Sequence, residues 1–168
     1  MDLLTRIVRA TWNEIIKPES YTKGEEFEQF VRSHLFCRDN YELLHRTHDY
    51  TSNKGDYIET SKEPDFKFKS KKRGTEFFVE AKYRSEFNKG AVEWCKPYQY
   101  RRYKDIDKKT PICVAIGVGK YPSSPVHVFA IPLKHIKYTQ LFHSFLKEYE
   151  ITPDQGMNDS KILPLLGH

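Results

Sequence analysis

Two stretches of alternating residues carry the groups best suited to chemistry. Residues 65–69 read Asp-Phe-Lys-Phe-Lys and residues 76–83 read Glu-Phe-Phe-Val-Glu-Ala-Lys-Tyr. Side chains along a strand alternate between two faces. Phe66, Phe68, Phe77, Val79, Ala81 and Tyr83 therefore share one face. Asp65, Lys67, Lys69, Glu76, Glu80, Lys82 and Arg84 share the other, with Phe78 its one apolar member. A slip of one residue would put apolar side chains on the polar face. A loop of Lys71, Lys72, Arg73 and Gly74 avoids that slip, pairing Ser70 with Thr75, Phe68 with Phe77 and Phe66 with Val79, and setting Lys69 against Glu76 as an ion pair. The same register places Asp65 opposite Glu80. Directly opposed residues have Cβ atoms about 4.5–5.5 Å apart, where like charges repel, so a cation is wanted between them. Lys82 follows on the same face about 7 Å along the strand. Two carboxylates and a lysine at one point suit a divalent metal acting on phosphodiesters, since Mg²⁺ takes a few hard oxygen ligands and keeps positions open for water and phosphate. The competing reading is a solvated strand face laced with cross-strand ion pairs.

These strands must be held by elements on either side. An amphipathic pattern over residues 3–16 predicts an N-terminal accessory helix ending before Pro18. Phe27, Phe30, Val31, His34 and Leu35 form one apolar stripe, predicting a second helix from about 22–24 to 36. A strand is expected over 41–50, then a polar loop or hairpin extension over 51–62. Pro97 is a good first helical residue for a helix reaching 108. Residues 112–118 read as a buried strand and 126–132 as another. Residues 133–149 read mostly as a helix, with a weakly structured tail from 151. The whole is one α/β domain over residues 1–168, its core about 22–132, with no repeats.

The composition agrees with a folded domain. The 168 residues are 38% apolar, 30% charged and 14% aromatic, and the aromatics supply a core that a disordered polyelectrolyte lacks. No apolar run approaches the roughly 20 residues of a membrane span, and residues 1–16 lack the basic and apolar regions of a signal peptide, so the expected location is the cytoplasm with no membrane partner. Cys37, Cys95 and Cys113 are odd in number and far apart, which predicts reduced, buried and inert thiols. The formal net charge is +5, yet residues 65–109 alone hold 14 Lys or Arg against 7 Asp or Glu. Basic residues interleaved with aromatics are the footprint of a polyanion partner, nucleic acid above all.

A resemblance makes the reading specific. Glu63-Pro64-Asp65, followed 15 residues later by Glu80-Ala81-Lys82, resembles the motif of the PD-(D/E)XK nuclease superfamily, whose restriction-endonuclease-like core runs αβββαβ with a central mixed sheet flanked by helices. Gly24-Glu25-Glu26-Phe27-Glu28 is similar to the family's G-x-x-F-E pattern and nominates Glu28. Gln99-Tyr100-Arg101-Arg102-Tyr103 resembles the Q-x-x-x-Y element of RecB-like members, and residues four apart lie on one helical face.

The resemblance implies a metal-dependent nuclease that cleaves DNA and leaves a 5′-phosphate, with endonuclease favoured over exonuclease and a role in repair, recombination or defence. Asp65, Glu80, the Ala81 carbonyl and Glu28 would hold Mg²⁺ or Mn²⁺, and Lys82 would orient water and counter phosphate charge. Gln99 and Tyr103 would contact substrate near the metal, while Arg101, Arg102, Lys71, Lys72 and Arg73 would track the phosphate backbone. A homodimer is allowed. The alternatives are a catalytically inactive nucleic-acid-binding or scaffolding domain of the same fold, and a small-molecule phosphodiesterase.

Overall fold

A computed structural model describes residues 19–47 and 62–167. The N-terminal helix expected over 3–16, the end of the first strand beyond 47 and the loop over 51–61 lie outside the described residues. Helix α1 (Glu19–Phe30) begins three residues before the expected start and runs on as a wider π-helical turn, Val31–Leu35. It is followed by β1 (Tyr41–Arg46), β2 (Phe66–Ser70), β3 (Glu76–Arg84), a short β4 (Ala91–Glu93), α2 (Pro97–Asp107), β5 (Ile112–Val118) and β6 (His127–Pro132).

One sheet has the order β1-β2-β3-β5-β6, with a further two-residue strand, β8 (Glu150–Ile151), at its edge beside β6. Neighbours are antiparallel except β3 and β5, which run parallel with α2 as the crossover. The β2–β3 register is the expected one: Phe66 faces Val79, Phe68 faces Phe77 and Lys69 faces Glu76. The expected Lys69–Glu76 ion pair does not form. Glu76 instead takes the Lys67 ammonium at 2.7 Å, the diagonal neighbour that strand twist brings within reach.

The alternation sorts the core into two layers. Phe66, Phe68, Phe77, Val79 and Ala81 pack with Phe27, Phe30, Val31 and Leu35 of the first helix. On the opposite face Phe78, Val114, Ile116 and Phe129 pack with Tyr103 of α2 and with Trp94. Gly117 of β5 makes the first layer possible, because a Cβ there would lie 2.3 Å from the Phe27 ring. Phe27 thus seats directly on β5, and its neighbour Glu28 is fixed at the sheet.

The region after β6 departs from expectation. Instead of one helix over 133–149, the chain makes a 3₁₀ turn (Leu133–His135), strand β7 (Gln140–Phe142) paired with β4, and a one-turn helix α3 (His143–Leu146). Buried donors explain this. The Trp94 indole donates to the Tyr138 carbonyl at 3.1 Å and the Tyr100 hydroxyl to the Ile136 carbonyl at 2.9 Å, claiming acceptors that a helix would have used internally. The expected loose tail is likewise structured. Helix α4 (Asp159–Leu166) starts at an Asn158 cap that accepts from the Lys161 N–H, ends at Gly167 with φ of 89°, and buries Ile162, Leu163 and Leu166 in the first layer.

Candidate active site

The carboxylates meet where β2 stops pairing with β3. The β2 ladder ends at Phe66, and Asp65 then turns its side chain to β3, where Oδ2 accepts the Ala81 N–H at 2.8 Å. Asp65 therefore replaces the strand as the partner of that backbone group. The N–H and C=O of a strand residue open to the same edge, so the Ala81 carbonyl faces Asp65 as well. The turn is anchored from β1's end: Thr47 donates its N–H to the Asp65 carbonyl at 2.9 Å and its hydroxyl to the Pro64 carbonyl at 2.8 Å.

Glu80 is 1% exposed, and a charge that deep must be paired. Its Oε1 takes the Lys82 ammonium at 2.7 Å. The Tyr103 phenol on α2 lies near the same carboxylate, whose Oε2 is buried and has no hydrogen-bond partner among the described residues. Burial, then the charges of Glu80 and Asp65, raise the phenol's pKa and keep its proton in place. Burial works against the Lys82 charge, but Glu80 and Asp65 outweigh it and hold the ammonium protonated.

Asp65 lies in the opposite condition. Burial, then repulsion from Glu80 and more weakly from Glu28, lift its carboxyl well above the ordinary range, and Lys82 and the Ala81 N–H offset only part of this. Glu28 is the third carboxylate. It is half-buried on α1, raised by burial, and its Oε2 accepts from Arg46 of β1 at 3.2 Å. The site is thus short of one positive charge. The carboxylates are not drawn into a closed cluster of three metal-ligating side chains among the described residues, since Lys82 and Arg46 each occupy one of them. The donors are nevertheless all hard oxygens, Glu80 Oε2 is an orphaned buried acceptor, and the charge deficit is that of a cation, so the residues fit Mg²⁺ or Mn²⁺.

Next to Lys82 opens a cleft of about 380 Å³ whose wall includes Arg84, Glu93, Lys96, Gln99 and Gln140. Gln99 lines it from the first turn of α2, where its side-chain Oε1 also accepts the Lys96 N–H at 3.0 Å. Gln99 and Tyr103, one turn apart, both lie on the side of the sheet that carries Glu80 and Lys82. Arg102 stacks over the Tyr103 ring at 5.5 Å and Arg101 is exposed on the same helix.

Lys71, Lys72 and Arg73 stand apart from this group, exposed at the far end of β2, about 20 Å from Asp65 at strand rise. Lys71 is tied down by a bond to the Arg38 carbonyl. Sequence reasoning gave no site role to Arg46 or Arg84. Arg46 carries no signal beyond ending a strand, and its importance comes from facing a helix 18 residues away. Cys95 and Cys113 are buried, and burial pushes both thiols up to about 12, whereas Cys37 is only half-buried, against expectation.

No protein-family model matches the chain, and no curated protein matches its sequence. Among solved structures, Hjc, a Holliday junction resolvase from the archaeal hyperthermophile Archaeoglobus fulgidus, superposes with a TM-score of 0.54 at 13% identity, covering 79% of this chain and 93% of that one. The fold is restriction-endonuclease-like. At that identity the likeness speaks for the architecture alone, an α/β core whose central mixed sheet is flanked by helices. Within this restriction-endonuclease-like core, Asp65, Glu80 and Lys82 sit at the point where β2 and β3 diverge, and Glu28 on the first helix is near enough to add its charge at Asp65. No described helix is long and apolar enough to cross a membrane.

Proposed function

We propose that the chain is a metal-dependent nuclease that hydrolyses phosphodiester bonds in DNA, cutting internally and leaving a 5′-phosphate. The observation that carries this reading is the charge deficit at Asp65, a half-buried carboxylate pressed by Glu80 and Glu28 with no cation of its own among the described residues. A structural ion-pair network would be balanced. A site that recruits a cation together with an anionic substrate is not.

Asp65, Glu80 Oε2, the Ala81 carbonyl and Glu28 are the residues that would hold Mg²⁺ or Mn²⁺. When bound, the metal supplies Lewis acidity toward the phosphate oxygens and a more acidic water. Lys82 keeps its proton and presents a fixed positive charge to the scissile phosphate, where negative charge grows as the nucleophilic water adds and the 3′ oxygen departs. Tyr103 lies beside the Glu80 carboxylate, and Arg46 orients Glu28. Gln99, Arg84 and Lys96 line the path by which the backbone enters. Arg101 and Arg102 on α2 lie beside that path and contact flanking phosphates.

The resolvase likeness supports DNA as substrate and favours structure-directed cutting in repair, recombination or defence. Comparing a four-way branched DNA with a linear duplex of the same arm sequences, each with Mn²⁺ and with chelator, tests this. The expected result is metal-dependent cleavage that is faster on the branched substrate; equal or absent cleavage of both would reject structure-directed cutting.

A further inference from the structure

Beyond the cleft lies a second concavity of about 360 Å³, mostly apolar, lined by Tyr138, Leu141, Phe142 and Phe145 with His135 and Lys137. Two of its aromatics are unusually open for their size, Tyr138 at 72% and Phe142 at 57% exposed. Tyr138 is not on a loose loop. The Trp94 indole and backbone N–H hold the carbonyls of Tyr138 and Thr139 at 3.1 and 3.0 Å, and the Tyr100 hydroxyl holds that of Ile136 at 2.9 Å. Three bonds to the catalytic side of the fold therefore fix the backbone that presents an exposed ring.

The groove adjoins the cleft beside Lys82 at one residue. Gln140 lines both, and in β7 Gln140 and Phe142 point outward on one face while Leu141 points in. None of the groove's lining residues is acidic, and Lys137 stands at its rim. Exposed rings, a basic rim and no carboxylate match a polyanion whose units also carry flat apolar faces.

We propose that Tyr138 and Phe142, with Phe145 as the floor, form a stacking platform for unpaired nucleotides of single-stranded DNA, leading into the cleft at Gln140. Base–aromatic stacking is tolerant of sequence and independent of pairing, so the platform selects DNA that is single-stranded next to the cut. This deepens the nuclease reading and rests on it for the direction of the strand, but its test is separate.

Anisotropy of fluorescein-labelled oligothymidylate and of a labelled blunt duplex, measured with the full chain in chelator, reads the platform without cleavage. Tyr138→Ala and Phe142→Ala are each expected to weaken single-strand binding by about tenfold, with duplex binding changed less than twofold and Tyr138→Trp retaining affinity. Wild-type affinity in both alanine variants, an equal loss on duplex, or no single-strand binding by the wild type would overturn the proposal. So would sedimentation showing a dimer that Phe142→Ala dissociates, because the groove would then be covered by a second copy. If the alanine variants lose single-strand binding while the wild type cuts no DNA with any metal, the platform stands and the nuclease reading fails.

Discussion

The Lys82 ammonium lies 2.7 Å from Glu80 Oε1, and Glu80 is almost wholly buried. Removing one member of a buried pair leaves the other charge uncompensated, at a cost of about 3–5 kcal/mol. Lys82→Ala is therefore expected to lower the urea midpoint of the metal-free protein and to cut cleavage by about 10²–10³-fold, the scale of losing one fixed charge-stabilising donor. Adding Glu80→Gln should restore much of the stability and none of the activity. A Lys82→Ala protein as stable as wild type would show that the pair is not coupled as described.

Asp65 predicts a trade of stability for function. Its folded pKa is raised by burial and by Glu80, so between the ordinary aspartate value of about 3.9 and the higher folded value the native state binds more protons than the unfolded state. Stability must fall as pH rises through that window, and Glu28, also raised, adds in the same direction. Asp65→Asn should thus melt higher than wild type at neutral pH in chelator and show a flatter pH dependence. Mn²⁺ should raise the melting temperature of wild type and not of Asp65→Asn.

Tyr103 separates packing from electrostatics. Its ring stacks on Trp94 with centroids 6.2 Å apart, and Tyr103→Phe keeps that contact while removing the hydroxyl that lies near Glu80. A stability change within about 0.5–1.5 kcal/mol and a roughly tenfold loss of turnover are expected. Unchanged turnover would make Tyr103 a packing residue alone.

Gly117→Ala tests how Glu28 is positioned. The new methyl would lie 2.3 Å from Phe27, and overpacking a filled core costs roughly 1–3 kcal/mol. Because α1 must shift to relieve it, cleavage should fall at saturating metal even at temperatures where the variant remains folded. Circular dichroism with activity at matched folded fraction checks this.

Salt dependence sorts the basic residues by place. Each phosphate contact removed lowers the salt slope of duplex binding by about 0.9, so Arg101→Ala should change it by about that much on any duplex. The tip residues Lys71, Lys72 and Arg73, about 20 Å from Asp65, should matter only when the duplex extends about six base pairs past the site. Equal effects of both sets on short duplexes would contradict the placement.

The hairpin was legible because strict alternation leaves one register that keeps Phe66, Phe68, Phe77 and Val79 on one face with Phe78 alone on the other, and that register opposes Asp65 to Glu80. Helix α2 announced itself at Pro97 and β5 by seven consecutive buried residues. Strands β4 and β7 were not legible, since three residues hold no periodicity and their pairing is set by Trp94 and Tyr100 reaching across more than thirty-five positions. Pro164 interrupted the pattern of α4, whose caps at Asn158 and Gly167 were the signals available. The Arg46–Glu28 pair depends on how a helix lies over a sheet edge, which no local pattern encodes.

The Asp65–Glu80–Lys82 site is expected to cut DNA with a divalent cation. Its most direct test is relaxation and linearisation of supercoiled plasmid by purified wild type, Asp65→Asn and Lys82→Ala, with Mg²⁺, Mn²⁺ or chelator. Nicking or linearisation by wild type with metal, abolished by chelator and by either substitution, is the predicted result. Binding of the plasmid without cleavage in every metal, or cleavage by Asp65→Asn at the wild-type rate, would contradict it.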